Sequence, residues 1–337
     1  MRRRVGGAAA GWLAAALLAG PAAVAATPGL GYAAPGAQAV QILEHLFDDP
    51  ARARSLPVRL RVPGPCTADD PRPVVLFSHG LGGSRDAGAR WGAHWASHGF
   101  VVVHLQHPGS DESLWRGQPG GLRRLDNLRP GMTPQRFVER TQDVRFVLDE
   151  LARRAVTEPG LGCVDTGRVG MSGHSFGAQT TQAVAGQSYP AVGGPVLREP
   201  RVVAAVAFSP SRPPESRQSA AVFDTLTIPF LGITGSRDGD VVGSGVTPAL
   251  RRGVVDALPA GQAYLLWFEG ADHFVFDGGT VAVGADPADH ARLERATRAV
   301  TLAFWLATLR GDAQAARWLR SDGPGSLLGP GDLWIAR

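Results

Sequence analysis

Apolar residues recur along this chain in short unbroken runs, each followed by a turn and then by residues at helical spacing. Such runs cover Pro73–Ser78, Phe100–Leu105, Val169–Ser172, Val202–Phe208, Ile228–Ile233 and Ala263–Phe268. A strand that is apolar at successive positions is buried on both faces, as in a parallel sheet covered by helices. Leu56–Val62 instead alternates apolar and polar residues, the pattern of an antiparallel or edge strand. Val40–Phe47 carries a short helical rhythm. Helices are predicted at Ala87–His98, where Trp91 and Trp95 stand four apart, and after the cap Thr133-Pro134, where Val138, Val144, Val147, Leu148 and Leu151 share a face. Further helices are predicted over Ser175–Gly186 and Pro248–Leu258. A closing helix runs from the cap Asp286-Pro287 to Leu309, with Leu293, Ala296, Val300, Ala303, Phe304 and Ala307 on one face. Strands alternating with helices predict an α/β fold with a mainly parallel sheet and helices on both faces. With no internal repeat or change of composition, residues 41–337 read as one domain with irregular insertions at 106–132 and 187–225.

Composition leaves that picture intact. Hydrophobic residues make up 44% and charged residues 19% of 337, the balance of a folded chain. The 34 basic residues are all arginine and are interleaved with acids, so no basic stripe suggests a nucleic-acid partner. Met1-Arg-Arg-Arg4, the apolar stretch Ala8–Leu18 and Ala23-Val-Ala25 have the order of a secretory signal peptide, residues 1–25. Pro21 and the short apolar stretch argue against a stable membrane anchor. The mature chain is thus expected outside the cytoplasm, extracellular or periplasmic, with residues 26–40 as a linker or N-terminal arm. Without the three leading arginines, 31 basic residues face 30 acidic ones. Cys66 and Cys163 are the two cysteines, and in an exported chain a pair suggests a disulfide.

The chemistry gathers where apolar runs end. Gly173-His174-Ser175-Phe176-Gly177 joins a predicted strand to a predicted helix, the setting of a nucleophile elbow. Ser175 is the candidate nucleophile, and it needs an adjacent base. His273 follows the run ending at Phe268 and is the candidate base; His290, His45, His94 and His98 fall on predicted helices. Asp238 follows Ile228–Ile233 and is the candidate orienting acid, with Asp240 as its competitor two residues on. Serine, acid and histidine come in the chain order this architecture uses. The loop His79-Gly80-Leu81-Gly82-Gly83 can turn backbone N–H groups inward, so the N–H groups of Leu81 and Phe176 are the candidate oxyanion donors. His79 reads as a brace for that loop. His104-Leu-Gln-His107 and Asp69-Asp70 do not make a three-ligand metal set, and no phosphate-binding loop occurs, so no metal or cofactor is expected. Arg116, Arg123, Arg124 and Arg129 crowd the 106–132 insertion; the usual reading is a solvated loop, the alternative an entrance that attracts anions.

Val74–Gly83, Trp95–Val103 and Gly173–Gly177 together resemble the α/β-hydrolase superfamily. The resemblance spans residues 50–310 or so, and it is nearest to the platelet-activating-factor acetylhydrolase group and its secreted bacterial dienelactone-hydrolase-like relatives. It implies a serine esterase acting through an acyl-enzyme on short acyl or oxidised-lipid-like esters, without a cofactor, and it supports Leu81 and Phe176 as oxyanion donors. The chain departs from the group in two ways. In the animal lipoprotein-associated members the acid follows the strand after the elbow helix. Here Val202–Phe208 ends in Ser209-Pro210, which leaves the role to Asp238. Dienelactone hydrolases use a cysteine nucleophile where this chain has serine. In the superfamily the strands after Cys66 and Cys163 are neighbours, which implies a Cys66–Cys163 disulfide on the face away from the active site. Alternatives within the class are a cutinase-like polyester hydrolase or a lipase with a lid at 106–132. The alternative outside it is a non-catalytic binding protein on the same scaffold, which an intact Ser-Asp-His order argues against.

Overall fold

The structure is a computed structural model that describes residues 30–121, 125–192, 197–212, 220–278 and 287–337. The expected signal peptide, the cap residue Asp286, and Arg123 and Arg124 lie outside the described residues. After a short helix α1 (Leu30–Ala33) come β1 (Val40–Asp49), β2 (Arg54–Pro63), β3 (Arg72–Ser78), α2 (Ala89–Ser97) and β4 (Val101–Leu105). Then follow α3 (Leu125–Leu128), α4 (Pro134–Thr157), β5 (Val164–His174), α5 (Phe176–Ala185), β6 (Val202–Phe208) and β7 (Phe230–Arg237). The chain closes with α6 (Pro248–Asp256), β8 (Ala263–Asp272), α7 (Pro287–Leu309), α8 (Ala313–Leu319) and β9 (Leu333–Ala336).

One sheet takes the order β1-β2-β4-β3-β5-β6-β7-β8-β9. From β4 to β8 every pairing is parallel, while β1, β2 and β9 pair antiparallel at the flanks. This is the α/β-hydrolase fold, with β5 and its elbow at the middle of the sheet. The parallel strands are buried on both faces because successive side chains enter different cores. Val75 and Phe77 of β3 pack with Trp91, Trp95 and Trp305 on the α2, α7 and α8 side. Val74 and Leu76 pack with Val144, Val147 and Leu148 of α4 on the other. Beyond α4, Ala205, Ala207 and Leu265 meet Val254 and Val255 of α6.

Three elements differ from the sequence expectation. Val40–Phe47 is not helical: it lies in a ten-residue antiparallel ladder with β2, and His45 is on that strand. Leu43 and Phe47 point inward while Ile42 and Leu46 are exposed. Inward residues four apart satisfy a period of 2 as well as 3.6, so the rhythm alone was ambiguous. β2 is therefore interior, between β1 and β4. At the other flank β8 is not the last strand and α7 does not close the chain, because α8 packs on α7 and β9 pairs with β8. Residues 30–38, expected within a linker or arm, are held against α2 and α8. Tyr32 lies 5.0 Å from the Trp318 ring, Gly36 N donates to Ser97 Oγ and Gln38 N to Ser97 O.

Cys66 and Cys163 form a disulfide, and they precede the adjacent strands β3 and β5. It closes a loop of 97 residues. In the chain-entropy model a loop of that size is stabilised by at most about 4–5 kcal/mol. Cys66→Ala/Cys163→Ala is expected to unfold at a lower temperature than the wild type, with the difference abolished when both are measured in reductant. Thermal denaturation with and without reductant measures it.

The sheet's interior also holds several neutral histidines. Burial first, reinforced by neighbouring cations, pushes the pKa of His104 to about 3, of His107 to about 4 and of His174 to about 3. An unfolded histidine titrates near 6.5. Below that pH the unfolded chain gains protons that the fold refuses, so stability falls from about pH 6.5 downward. Asp143 acts in the same direction at lower pH. Burial alone would raise its pKa, but His107 and Arg54 outweigh this and bring it to about 2. Unfolding free energies from urea titrations are therefore expected to fall steadily from pH 7 to pH 4, by an amount on the order of several kcal/mol, and the urea midpoint with them. A midpoint unchanged over that range contradicts the assignment of these histidines as neutral in the fold.

Candidate active site

β5 ends in a turn that only small residues permit. Ser175 has φ +57° and ψ −114°, a conformation strained for any residue with a Cβ. A Cβ on Gly173 would come within 2.4 Å of Gly177 O, and one on Gly177 within 1.9 Å of Ser78 O. The two glycines are thus fixed by backbone packing, and the turn lifts Ser175 over the carboxyl end of the sheet. Ser175 N donates to Phe208 O of β6 at 3.0 Å, which anchors the turn.

The loops beyond the ends of β7 and β8 converge on this point. The His273 ring, just past β8, has Nε2 at 2.8 Å from Ser175 Oγ and Nδ1 at 2.7 Å from Asp238 Oδ1. A carboxylate only accepts, so Nδ1 carries the proton and Nε2 is left to accept from the serine hydroxyl. Asp238, fully buried beyond β7, also accepts from Thr234 Oγ1 at 2.7 Å. Burial alone would raise its pKa; the His273 hydrogen bond and the Arg251 charge outweigh this and hold it below the ordinary carboxylate value. Asp240 lines the chamber over Ser175, but its carboxylate is not bonded to His273. Its carboxylate accepts from Val242 N at 2.9 Å and Gly245 N at 2.5 Å and closes its own loop.

Leu81 and Phe176 stand beside Ser175 in a chamber of about 130 Å³, with Gln179, Ser211 and Arg251 among its other walls. Phe176 opens α5, so its N–H has no partner within the helix. A Cβ on Gly80 would lie 3.4 Å from Ser175 Cβ, so the 79–83 loop runs directly alongside the serine. The loop is pinned on several sides. Gly82 N donates to Ser110 O at 2.9 Å, Trp115 Nε1 to Gly82 O at 2.6 Å, and His79 Nδ1 to Gly80 O at 2.6 Å. His79 Nε2 accepts from His107 N at 3.0 Å, so the imidazole is neutral and braces the loop from both ends. His104 and His107 have separate partners. His104 Nδ1 donates to Ala87 O, and His107 bridges Asp143 and Ser78. In the 106–132 insertion Arg116 pairs with Glu112 and Arg129 with Asp126.

Two buried arginines complete the site and were not among the sequence candidates. Arg251 of α6 lies with Nε 2.9 Å from Asp238 Oδ1 and donates to the carbonyls of Asp238, Gly239, Ser209 and Pro210. It ties the end of β6 to the loop that carries the acid, and Nη2 sits 3.3 Å from His273 Nδ1. Arg140 of α4 donates to Ser78 Oγ, Ser110 Oγ, Thr180 Oγ1 and His79 O, and its guanidinium lies 4.6 Å from the Phe176 ring centroid. It therefore touches both the glycine loop and the first residue of α5. A signal did exist: Arg251 shares the buried face of Val254 and Val255, and Arg140 that of Phe137 and Val144. A charge on the apolar stripe of an amphipathic helix is buried for a specific partner.

Comparison with known proteins adds the following. The family model described as platelet-activating factor acetylhydrolase, isoform II, matches residues 39–115. A platelet-activating factor acetylhydrolase of Bos taurus is 29% identical over 135 residues, which covers 32% of this chain and 30% of that protein. The match thus spans under a third of the relative's length. The family model covers β1 through β4 with the 79–83 loop and stops before the elbow.

Proposed function

We propose, on the premise that this chain resembles the platelet-activating-factor acetylhydrolase group of α/β-hydrolases, that it is a serine carboxylic ester hydrolase working through an acyl-enzyme. Its substrates are esters of the lipid kind with short or oxidised acyl groups. The observation that carries this reading is the contact chain Ser175 Oγ, His273, Asp238, at 2.8 and 2.7 Å, beside a braced glycine loop. Ser175 attacks the ester carbonyl as His273 Nε2 takes its proton, and Asp238 steadies the imidazolium. The N–H groups of Leu81 and Phe176 receive the negative charge that develops on the carbonyl oxygen. His273 returns the proton to the leaving alkoxide, then activates the water that frees Ser175. The sequence at residues 1–25 supports export, and a disulfide suits an oxidising compartment.

Pre-steady-state hydrolysis of p-nitrophenyl acetate tests the reading. An acyl-enzyme predicts either a nitrophenol burst matching the enzyme concentration or trapping of an acetylated serine at low pH. Absence of any ester turnover, with the protein folded, overturns it.

A further inference from the structure

A second hollow lies beside the chamber over Ser175, with side chains common to both walls. It has a volume of about 270 Å³ and shares Met132, Phe176 and Gln179 with that chamber. Its own walls are mostly apolar and come from the start of α4 and from residues 189–192. Phe137 and Tyr189 pack ring to ring at 4.7 Å, with Phe176 6.1 Å from Phe137, so the floor is a fixed aromatic surface. The Tyr189 hydroxyl donates to Gln179 O at 3.5 Å, which turns it away from solvent. Met132 stands at the junction and is exposed, although it is large and apolar.

We infer that this groove is the acyl-chain subsite, and that the enzyme accepts medium-chain aliphatic acyl groups as well as short ones. The inference rests on the esterase reading above and extends its substrate class. The direction follows from the chemistry. The leaving oxygen must sit within reach of His273 Nε2 to receive its proton. His273 contacts Ser175, Asp238, His174, Phe274 and Arg251 and none of the groove residues. A chain running past Phe176 into the groove leaves the carbonyl carbon on the side away from His273, which is the acyl side. A hollow of about 270 Å³ has room for a chain of several methylene groups. Each buried methylene stabilises the bound chain by leaving water, so the groove selects chain length without placing a charge requirement on it.

The test is a pair of ester series on the full chain: p-nitrophenyl acetate against p-nitrophenyl octanoate, and methyl acetate against octyl acetate. The variants are Ala191→Trp and Val192→Trp, which fill the groove from its outer wall and lie outside the catalytic constellation. In the wild type, kcat/KM for the octanoate is expected to equal or exceed that for the acetate. In each variant the octanoate value is expected to fall at least tenfold, while p-nitrophenyl acetate stays within twofold and so reports an intact fold. Equal change in both acyl esters, or no change in either, overturns the groove assignment. A selective loss on octyl acetate instead assigns the groove to the alcohol and overturns it as well. A folded wild type that turns over none of these esters refutes the esterase reading itself, and is thereby distinguished from failure of the groove alone.

Discussion

Ser175→Ala is expected to lower ester turnover by ~10⁴–10⁶-fold and to leave the fold and its thermal midpoint nearly unchanged. The large loss follows from the proposed mechanism, in which the hydroxyl is the atom that bonds to the acyl group and only the proposed oxyanion donors and substrate binding would remain without it. The small structural effect follows from local geometry. Alanine keeps the Cβ that already occupies φ +57°, and it forfeits one hydrogen bond to His273, about 0.5–1.5 kcal/mol net. Ser175→Gly separates the two consequences. It removes the nucleophile equally, but glycine relaxes at positive φ, so this variant is expected to be as inactive as the alanine variant and more stable by ~1 kcal/mol. Turnover of p-nitrophenyl acetate beside thermal melts of both variants reads out activity and strain independently.

Asp238→Asn is expected to lower kcat by ~10⁴-fold, with Asp240→Asn close to the wild type. An asparagine can present an N–H to His273 Nδ1 and so favour the tautomer that leaves Nε2 protonated, unable to accept from Ser175. It also removes the carboxylate facing the Arg251 guanidinium. Breaking a buried ion pair by deleting one partner costs about 3–5 kcal/mol. Four carbonyl groups continue to accept from Arg251, so the loss here is expected at or below the lower end of that range. Asp240 instead caps the 240–245 turn, and its replacement is expected to affect that loop and not the His273 tautomer. Arg251→Met tests the arrangement from the other side. With its positive charge gone, the acid's pKa is expected to rise, because that charge is among the causes that hold it down. The same charge lies 3.3 Å from His273 Nδ1, so the acidic limb of the kcat profile, which reports protonation of the coupled His273–Asp238 pair, is expected to move to higher pH. A folded Asp240→Asn variant as inactive as Asp238→Asn contradicts this division of roles.

The parallel half of the sheet was legible because strands buried on both faces leave unbroken apolar runs. β3, β4, β6 and β8 begin within a residue or so of those runs. β1 was read with the wrong period, since its two inward residues fit helix and strand equally. β9 was missed because a four-residue strand after a glycine-rich turn carries too little pattern to register. Ser175, Asp238 and His273, which the structure brings together, stood out as candidates because each sits just beyond a strand end, where side chains converge over the sheet. Asp238 and Asp240 could not be separated by order alone; the turn after β7, which buries one and exposes the other, separates them. Arg140 and Arg251 were passed over because charge usually signals solvent, whereas here an apolar helix face carries each of them inward. The acyl groove has no linear signature at all. Its walls come from α4, α5 and residues 189–192, and only folding brings them together.

The most direct test of the account is the site of covalent labelling by a fluorophosphonate, which reacts with a serine only when a neighbouring base and an oxyanion hole activate it. The folded protein is expected to gain one phosphonyl group, mapped by peptide mass spectrometry to Ser175, with labelling lost in both Ser175→Ala and His273→Ala. Absence of labelling in the folded wild type, or a phosphonyl group on any other residue, contradicts the assignment of Ser175 as the nucleophile.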